Sequence, residues 1–196
     1  MNFLAHIYLS FDHPDVIFGN FIGDFVKGKE INNYPDVIKK GIKLHRAIDD
    51  YTDRHEVVLA SKKRLRPRYH HYAPVIVDVY YDHFLSLHWE DYHPTALDIY
   101  SRRFYQSLEK YNNLIPAGMG KLIYFMSRDN WLYQYQMFEG LNQAFTGISR
   151  RTKFDSGMEN ALTDLKADYE AYEKEFRRFF PDLVKFAKSY LNINDD

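Results

Sequence analysis

The stretch from Gly41 to His55, GIKLHRAIDDYTDRH, puts charged and titratable residues where a helix of this pattern needs apolar ones. At 3.6 residues per turn, Ile38, Ile42, His45, Ile48, Asp49 and Thr52 form one inward stripe, with Arg46, Asp50 and Asp53 beside it. His45 and Asp49 stand one turn apart. A carboxylate turned inward without a partner is costly enough that it neutralises, pairs with a cation or ligates a metal. Two readings stay open for this stretch alone: an Arg46–Asp50 helical ion pair beside an ordinary core histidine, or a His45–Asp49 ligand pair.

A second constellation lies in PVIVDVYYDHFLSLHW, opened by Pro74. Asp78 and Asp82 are one turn apart, His83 follows directly, and Val75, Val79 and Ser86 share their side. Ile76, Val79, Tyr80, His83 and Leu87 form the adjoining apolar stripe. Two carboxylates at this spacing repel unless a cation lies between them. Two helices that each present carboxylate and imidazole groups favour a metal site over an ion-pair network. Asp24, between Gly23 and Phe25 in an otherwise apolar segment, is a weaker third candidate.

The chain has 196 residues, 45% hydrophobic and 27% charged, a size and balance that suit one globular domain over 1–196. Its net charge of −1 excludes a global basic field for nucleic acid. With no cysteine, any metal must sit on His, Asp and Glu, which suits Mn²⁺, Mg²⁺ or Fe²⁺. No run approaches the ~18 apolar residues of a membrane span. The opening MNFLAHIYLS lacks a basic segment and meets Asp12 and His13 too soon for a signal peptide, so a cytoplasmic location is expected.

Helical spacing continues along the chain. Met1 to Ser10 reads as a short buried helix, with Asn2 as its N-cap and His6 as a core histidine. Asp12 caps a second helix that runs from Pro14 to a stop near Gly28. Pro35 opens the long helix already described, and Pro94 to Leu114 forms another. A break at Pro116, Gly118 and Gly120 precedes helical regions over Lys121–Met137 and Phe138–Arg151. A last helix over Ala161–Leu191 is bent or broken at Pro181. No segment alternates with period two, and no phosphate-binding glycine loop is present. The expectation is an all-α bundle of about seven to nine helices, with Tyr and Phe stripes as core.

Ser61 to Arg68, SKKRLRPR, packs Lys62, Lys63, Arg64, Arg66 and Arg68 beside His70 and His71. It is either a solvated helix face or a docking patch for an anionic partner. Arg150 and Arg151 are either partners of a helix C-terminus or a phosphate clamp.

Four segments together resemble the acyl carrier protein phosphodiesterase family: MNFLAHIYLS, GNFIGDFVKG, GIKLHRAIDDYTDRH and APVIVDVYYDHFLSLHW. The similarity runs in order over nearly the whole chain and is strongest in the first 90 residues. It implies a helical relative of the HD-domain metal phosphohydrolases that removes 4′-phosphopantetheine from a serine of holo acyl carrier protein, with manganese as the expected ion. Asp24 matches the family's GN-x-x-x-D segment, His45 and Asp49 its H-R-x-x-D segment, and Asp78, Asp82 and His83 its D-x-x-x-D-H segment. One departure is plain. The HD superfamily is named for adjacent His-Asp, and this chain has Asp82-His83 in reverse order and no His-Asp pair.

Phosphodiester hydrolysis needs a nucleophile, charge neutralisation at phosphorus and help for the leaving alkoxide. A metal-activated water is the economical nucleophile for such a residue set. The expected metal ligands are Asp24, His45, Asp49, Asp78 and Asp82. His45 has a second role open to it as a base, Arg46 serves as phosphate clamp, and His83 as proton donor to the leaving serine oxygen. Lys62 to Arg68 becomes a docking surface for the acidic carrier protein. Two rival readings remain: a metal phosphohydrolase of nucleotides or other small phosphodiesters, and a non-enzymatic helical module for an acidic partner.

Overall fold

The inward stripe faces the interior as its spacing predicts. In α3 (Asp36–Arg54), Ile38, Ile42, His45, Ile48 and Thr52 are all buried, and Asp49 is the member that keeps partial exposure. The computed structural model describes residues 1–193. The described residues hold ten further α-helices: α1 (Phe3–Tyr8), α2 (Pro14–Phe21), α4 (Glu56–Tyr69), α5 (Ala73–Leu87), α6 (Leu97–Ser107), α7 (Gly120–Arg128), α8 (Trp131–Gln134), α9 (Phe138–Ser149), α10 (Ala161–Ala167) and α11 (Tyr169–Leu191), of which α2, α4 and α11 pack most closely on α3. Among the described residues there is no strand, and the architecture is all-α. No helix among them is long and apolar enough to cross a membrane.

The count of α-helices exceeds the expected seven to nine because local breaks divide the second half. Asn130 adopts a left-handed conformation between α7 and α8, with φ of 47°. The last helix is interrupted at Asp168 and runs on through Pro181. The missing N–H of Pro181 is outweighed by the burial of Phe179, Phe180 and Leu183 on the same helix. The second helix stops at Phe21, well before Gly28. The chain then enters 3₁₀ turns over Gly23–Phe25 and Gly28–Asn33. His13 holds its N-cap position, since Asp12 takes a left-handed φ of 59°.

Two glycines set the distance between α2 and α3. A methyl group on Gly19 would come within 2.1 Å of the Ile38 carbonyl oxygen, and one on Gly41 within 2.3 Å of the Val16 carbonyl oxygen. Only bare backbone allows this approach, and it carries the turn with Gly23 and Asp24 onto the face of α3 that bears His45. Across the other side of the core, Tyr80, Tyr81 and Phe84 of α5 pack on Tyr172, Phe176 and Phe179 of α11. Helix α5 is buried nearly all round; Leu87, at its C-terminal end, is 44% exposed and stands outside the apolar stripe.

Candidate metal centre

Asn20, wholly buried on α2, organises two histidines at once. Its side-chain amide donates to the His6 carbonyl oxygen and to Ser10 Oγ, which leaves its Oδ1 to accept from His6 Nδ1 at 2.8 Å. Its backbone oxygen accepts from His45 Nδ1, also at 2.8 Å. These bonds assign the Nδ1 proton in both rings. The imidazoles stack with centroids 3.9 Å apart and planes 17° from parallel. Gly23 makes room for the His45 ring, because a Cβ there would lie 2.3 Å from His45 Cγ.

Both Nε2 atoms turn to Asp49. His6 Nε2 is 3.2 Å from Asp49 Oδ1 and 3.1 Å from the Met1 carbonyl oxygen. His45 Nε2 is 3.2 Å from Asp49 Oδ2 and 3.1 Å from Asp24 Oδ1, yet it is buried with no well-aligned hydrogen-bond partner. One donor atom each from His6, His45 and Asp49 fall within 4.8 Å of one another. In neutral rings the two Nε2 lone pairs would face carboxylate and carbonyl oxygens, so the arrangement calls for positive charge among them, either a metal cation or a proton on the ring.

The electrostatics follow. Burial works against a charged His45, but the carboxylates of Asp24 and Asp49 override it and push the ring up to about 9. Burial and the neighbouring His45 push His6 down. Asp49 is held far below the usual carboxylate range; burial opposes this, and the two imidazoles and the Met1 amino group prevail. The His45 imidazole 3.1 Å away likewise lowers Asp24, whose side chain is otherwise 71% exposed.

Of the residues expected to ligate metal, the fold brings Asp24, His45 and Asp49 together directly. Asp78 reaches the rim through the Met1 amino nitrogen, which lies 3.0 Å from Asp78 Oδ1 and 3.6 Å from Asp49 Oδ1. Asp82 stands apart. Fully buried, it accepts from the backbone N–H of Leu4 at 2.7 Å and of Ala5 at 3.2 Å, capping α1 across the fold. Burial raises its carboxyl to about 7 against those two hydrogen bonds. His83 points elsewhere again. It is buried between the Tyr135 carbonyl oxygen at 2.7 Å and the Tyr169 hydroxyl at 2.8 Å.

Arg46 is exposed and donates to the Val26 carbonyl oxygen at 2.9 Å, beside the turn that carries Asp24; Asp50 pairs with Arg54 instead. The histidine outside the expected ligand set is His6. Its signal was a polar residue one turn from Asn2 in an apolar helix. Asn2 occupies the N-cap position but spends its side-chain amide on the Tyr135 hydroxyl, at 2.9 Å.

The basic run divides. Lys62 is buried and pairs with Asp53; Arg64 makes two bonds of 2.6 Å to Glu175; Arg68 pairs with Asp164. Lys63 and Arg66 are exposed, with no carboxylate partner among the described residues.

The sequence model of a family described as "Acyl carrier protein phosphodiesterase" matches residues 1–183. The chain belongs to the acyl carrier protein phosphodiesterase family. It is 33% identical over 191 residues to a protein of that name from Klebsiella pneumoniae (strain 342), an alignment covering 96% of this chain and 98% of the relative. Proteins of the same name from Enterobacter sp. (strain 638) and Photorhabdus laumondii are 32% and 30% identical over 96% of this chain, covering 98% and 96% of their own lengths. No solved structure matches. The family match spans His6, Asn20, Asp24, His45 and Asp49, so every residue of the centre lies inside it.

Proposed function

We propose that this chain hydrolyses the phosphodiester between 4′-phosphopantetheine and a serine of holo acyl carrier protein, using a divalent cation held by His6, His45 and Asp49. The observation that carries the reading is the pair of Nε2 atoms aimed at Asp49, with both Nδ1 atoms committed to Asn20. A histidine fixed by a bond to its other ring nitrogen is the usual form of an imidazole ligand. Two imidazoles with carboxylates suit Mn²⁺, with Mg²⁺ and Fe²⁺ as less favoured occupants. When bound, the cation supplies Lewis-acid polarisation of the phosphoryl group and acidifies a water.

The chain's own groups do the remainder. Asp49 bridges the two histidines, and Asp24, at the solvent edge, accepts a hydrogen bond that orients the attacking water. Arg46 is anchored beside Asp24 through Val26 and keeps guanidinium N–H groups free for the phosphate. The water oxygen bonds to phosphorus, the bond from phosphorus to the serine oxygen breaks, and the water's proton ends on that oxygen. Apo carrier protein and 4′-phosphopantetheine are the products. Asp82 and His83 support the centre from outside: Asp82 pins the start of α1, which carries His6, and His83 pins Tyr135. The exposed Lys63 and Arg66 receive the acidic carrier protein.

The test is chromatographic. Holo carrier protein and a panel of small phosphodiesters are incubated with the protein and Mn²⁺, with EDTA controls. Release of 4′-phosphopantetheine, abolished by EDTA, is the expected result. Turnover of nucleotide diesters with none of the carrier would replace this reading by the small-substrate one.

A further inference from the structure

We infer that the prosthetic arm of the substrate lies in the cavity of about 570 Å³ that opens from Asp24 between α7, α8 and α9; the assignment rests on the reaction proposed above. Cavities of this size hold extended small ligands.

Continuity with the centre is the first argument. Asp24, 3.1 Å from His45 Nε2, and Asn2, whose carbonyl oxygen accepts from the His6 backbone N–H, both line the cavity, so a chain joined to a phosphate at the centre enters it directly. The second is chemistry. The walls are mainly Phe25, Leu122, Phe125 and Trp131, broken by the amides of Gln134 and Gln143. The arm has the same alternation: a dimethyl-substituted carbon next to the phosphate, two amides and a thiol end.

Charge is the third argument. Lys121 and Arg151 both line the cavity, and neither is paired with a carboxylate among the described residues; Arg151 donates to the Gly147 carbonyl oxygen at 3.1 Å. Arg151 also lies close enough to Tyr135 to counteract part of the rise that burial imposes on that phenol. Tyr135, whose hydroxyl accepts from Asn2, lines the same cavity, so the Arg151 charge is available to the anionic end of a ligand held there.

Gly147 gives the test. It lines the cavity on α9, and a Cβ added there meets nothing within 4 Å, so substitutions can be introduced from this point of the wall, with melting temperature as the check on the larger ones. Trp131, one of two tryptophans, is a reporter in the wall. The measurement is titration of the full-length protein with 4′-phosphopantetheine, followed by tryptophan fluorescence, for wild type and Gly147→Ala, Gly147→Leu and Gly147→Phe. Melting temperatures and bis(p-nitrophenyl) phosphate turnover are recorded alongside.

The expected result is saturable binding in wild type, weakened progressively with side-chain size and at least tenfold in Gly147→Phe. KM for holo carrier protein rises in parallel, while turnover of the armless diester stays within twofold. Equal binding by wild type and a folded Gly147→Phe, or no binding by wild type, overturns the assignment. Binding that Gly147→Phe removes, in a wild-type protein that leaves holo carrier protein intact, upholds the cavity and overturns the reaction.

Discussion

His6 and His45 stack 3.9 Å apart with each Nδ1 bound to an oxygen of Asn20 and each Nε2 turned to Asp49. One buried residue thus fixes the tautomer of both rings. Asn20→Ala keeps the backbone bond to His45 but frees His6. Loss of such a supporting partner lowers metal affinity by roughly 10–100-fold. Isothermal titration with Mn²⁺ checks this, and unchanged affinity in a folded variant would remove Asn20 from the account.

Asp82 makes a separable contribution. Asp82→Ala leaves the N–H groups of Leu4 and Ala5 without their acceptor, so the expected loss is about 1–2 kcal/mol of stability in urea denaturation. Because α1 carries His6, metal affinity falls as well. A variant that loses Mn²⁺ binding with no change in unfolding midpoint would instead place Asp82 among the ligands.

The metal-free protein has a pH dependence of definite sign. His45 is raised from 6.5 to about 9, so its contribution to stability is fully present below pH 6.5 and is lost as pH rises through about 9. Asp24 is largely exposed, and solvent screening trims the effect to about 1–3 kcal/mol. Urea titrations in EDTA at pH 6.5 and 9 should show this decline in wild type and a much smaller one in His45→Gln. A stability that rises over this interval contradicts the charge state described for His45.

The cations of the basic run should sort by their partners. Charge reversal at Lys63 and Arg66 raises KM for the carrier protein several-fold at low salt and little at high salt, with the melting temperature unmoved. Replacing Lys62 or Arg64 instead lowers the melting temperature, because the Lys62 side chain is itself buried and loss of Arg64 strands the mostly buried Glu175 carboxylate. Salt-insensitive KM values in the Lys63 and Arg66 variants would dispose of the docking surface.

The sequence carried the fold class and the inward face of α3 because both are local. Ile38, Ile42, His45, Ile48 and Thr52 recur at helical spacing, and all are buried. It carried His45, Asp49 and Asp24 as polar residues in apolar surroundings. His6 was visible by the same signal, but a single buried imidazole has an ordinary core explanation, and only the crossing of α1, α2 and α3 brings it onto Asp49. Asp82 and His83 show the converse. They share a helix with Asp78, yet 3.6-residue periodicity cannot say that one side chain meets Leu4 and Ala5 while the next meets Tyr169. The pairing of Arg64 with Glu175, 111 residues away, lies equally beyond local pattern.

Intact-mass analysis of holo carrier protein tests the central claim most directly. The protein is incubated with Mn²⁺ as wild type, with EDTA, and as Asp49→Ala and His6→Ala. Conversion to the apo mass by wild type alone, with both variants slowed at least a hundredfold, is the result expected. Conversion that persists at the wild-type rate in Asp49→Ala and His6→Ala would contradict the assignment of the centre, and no conversion by wild type would contradict the reaction itself.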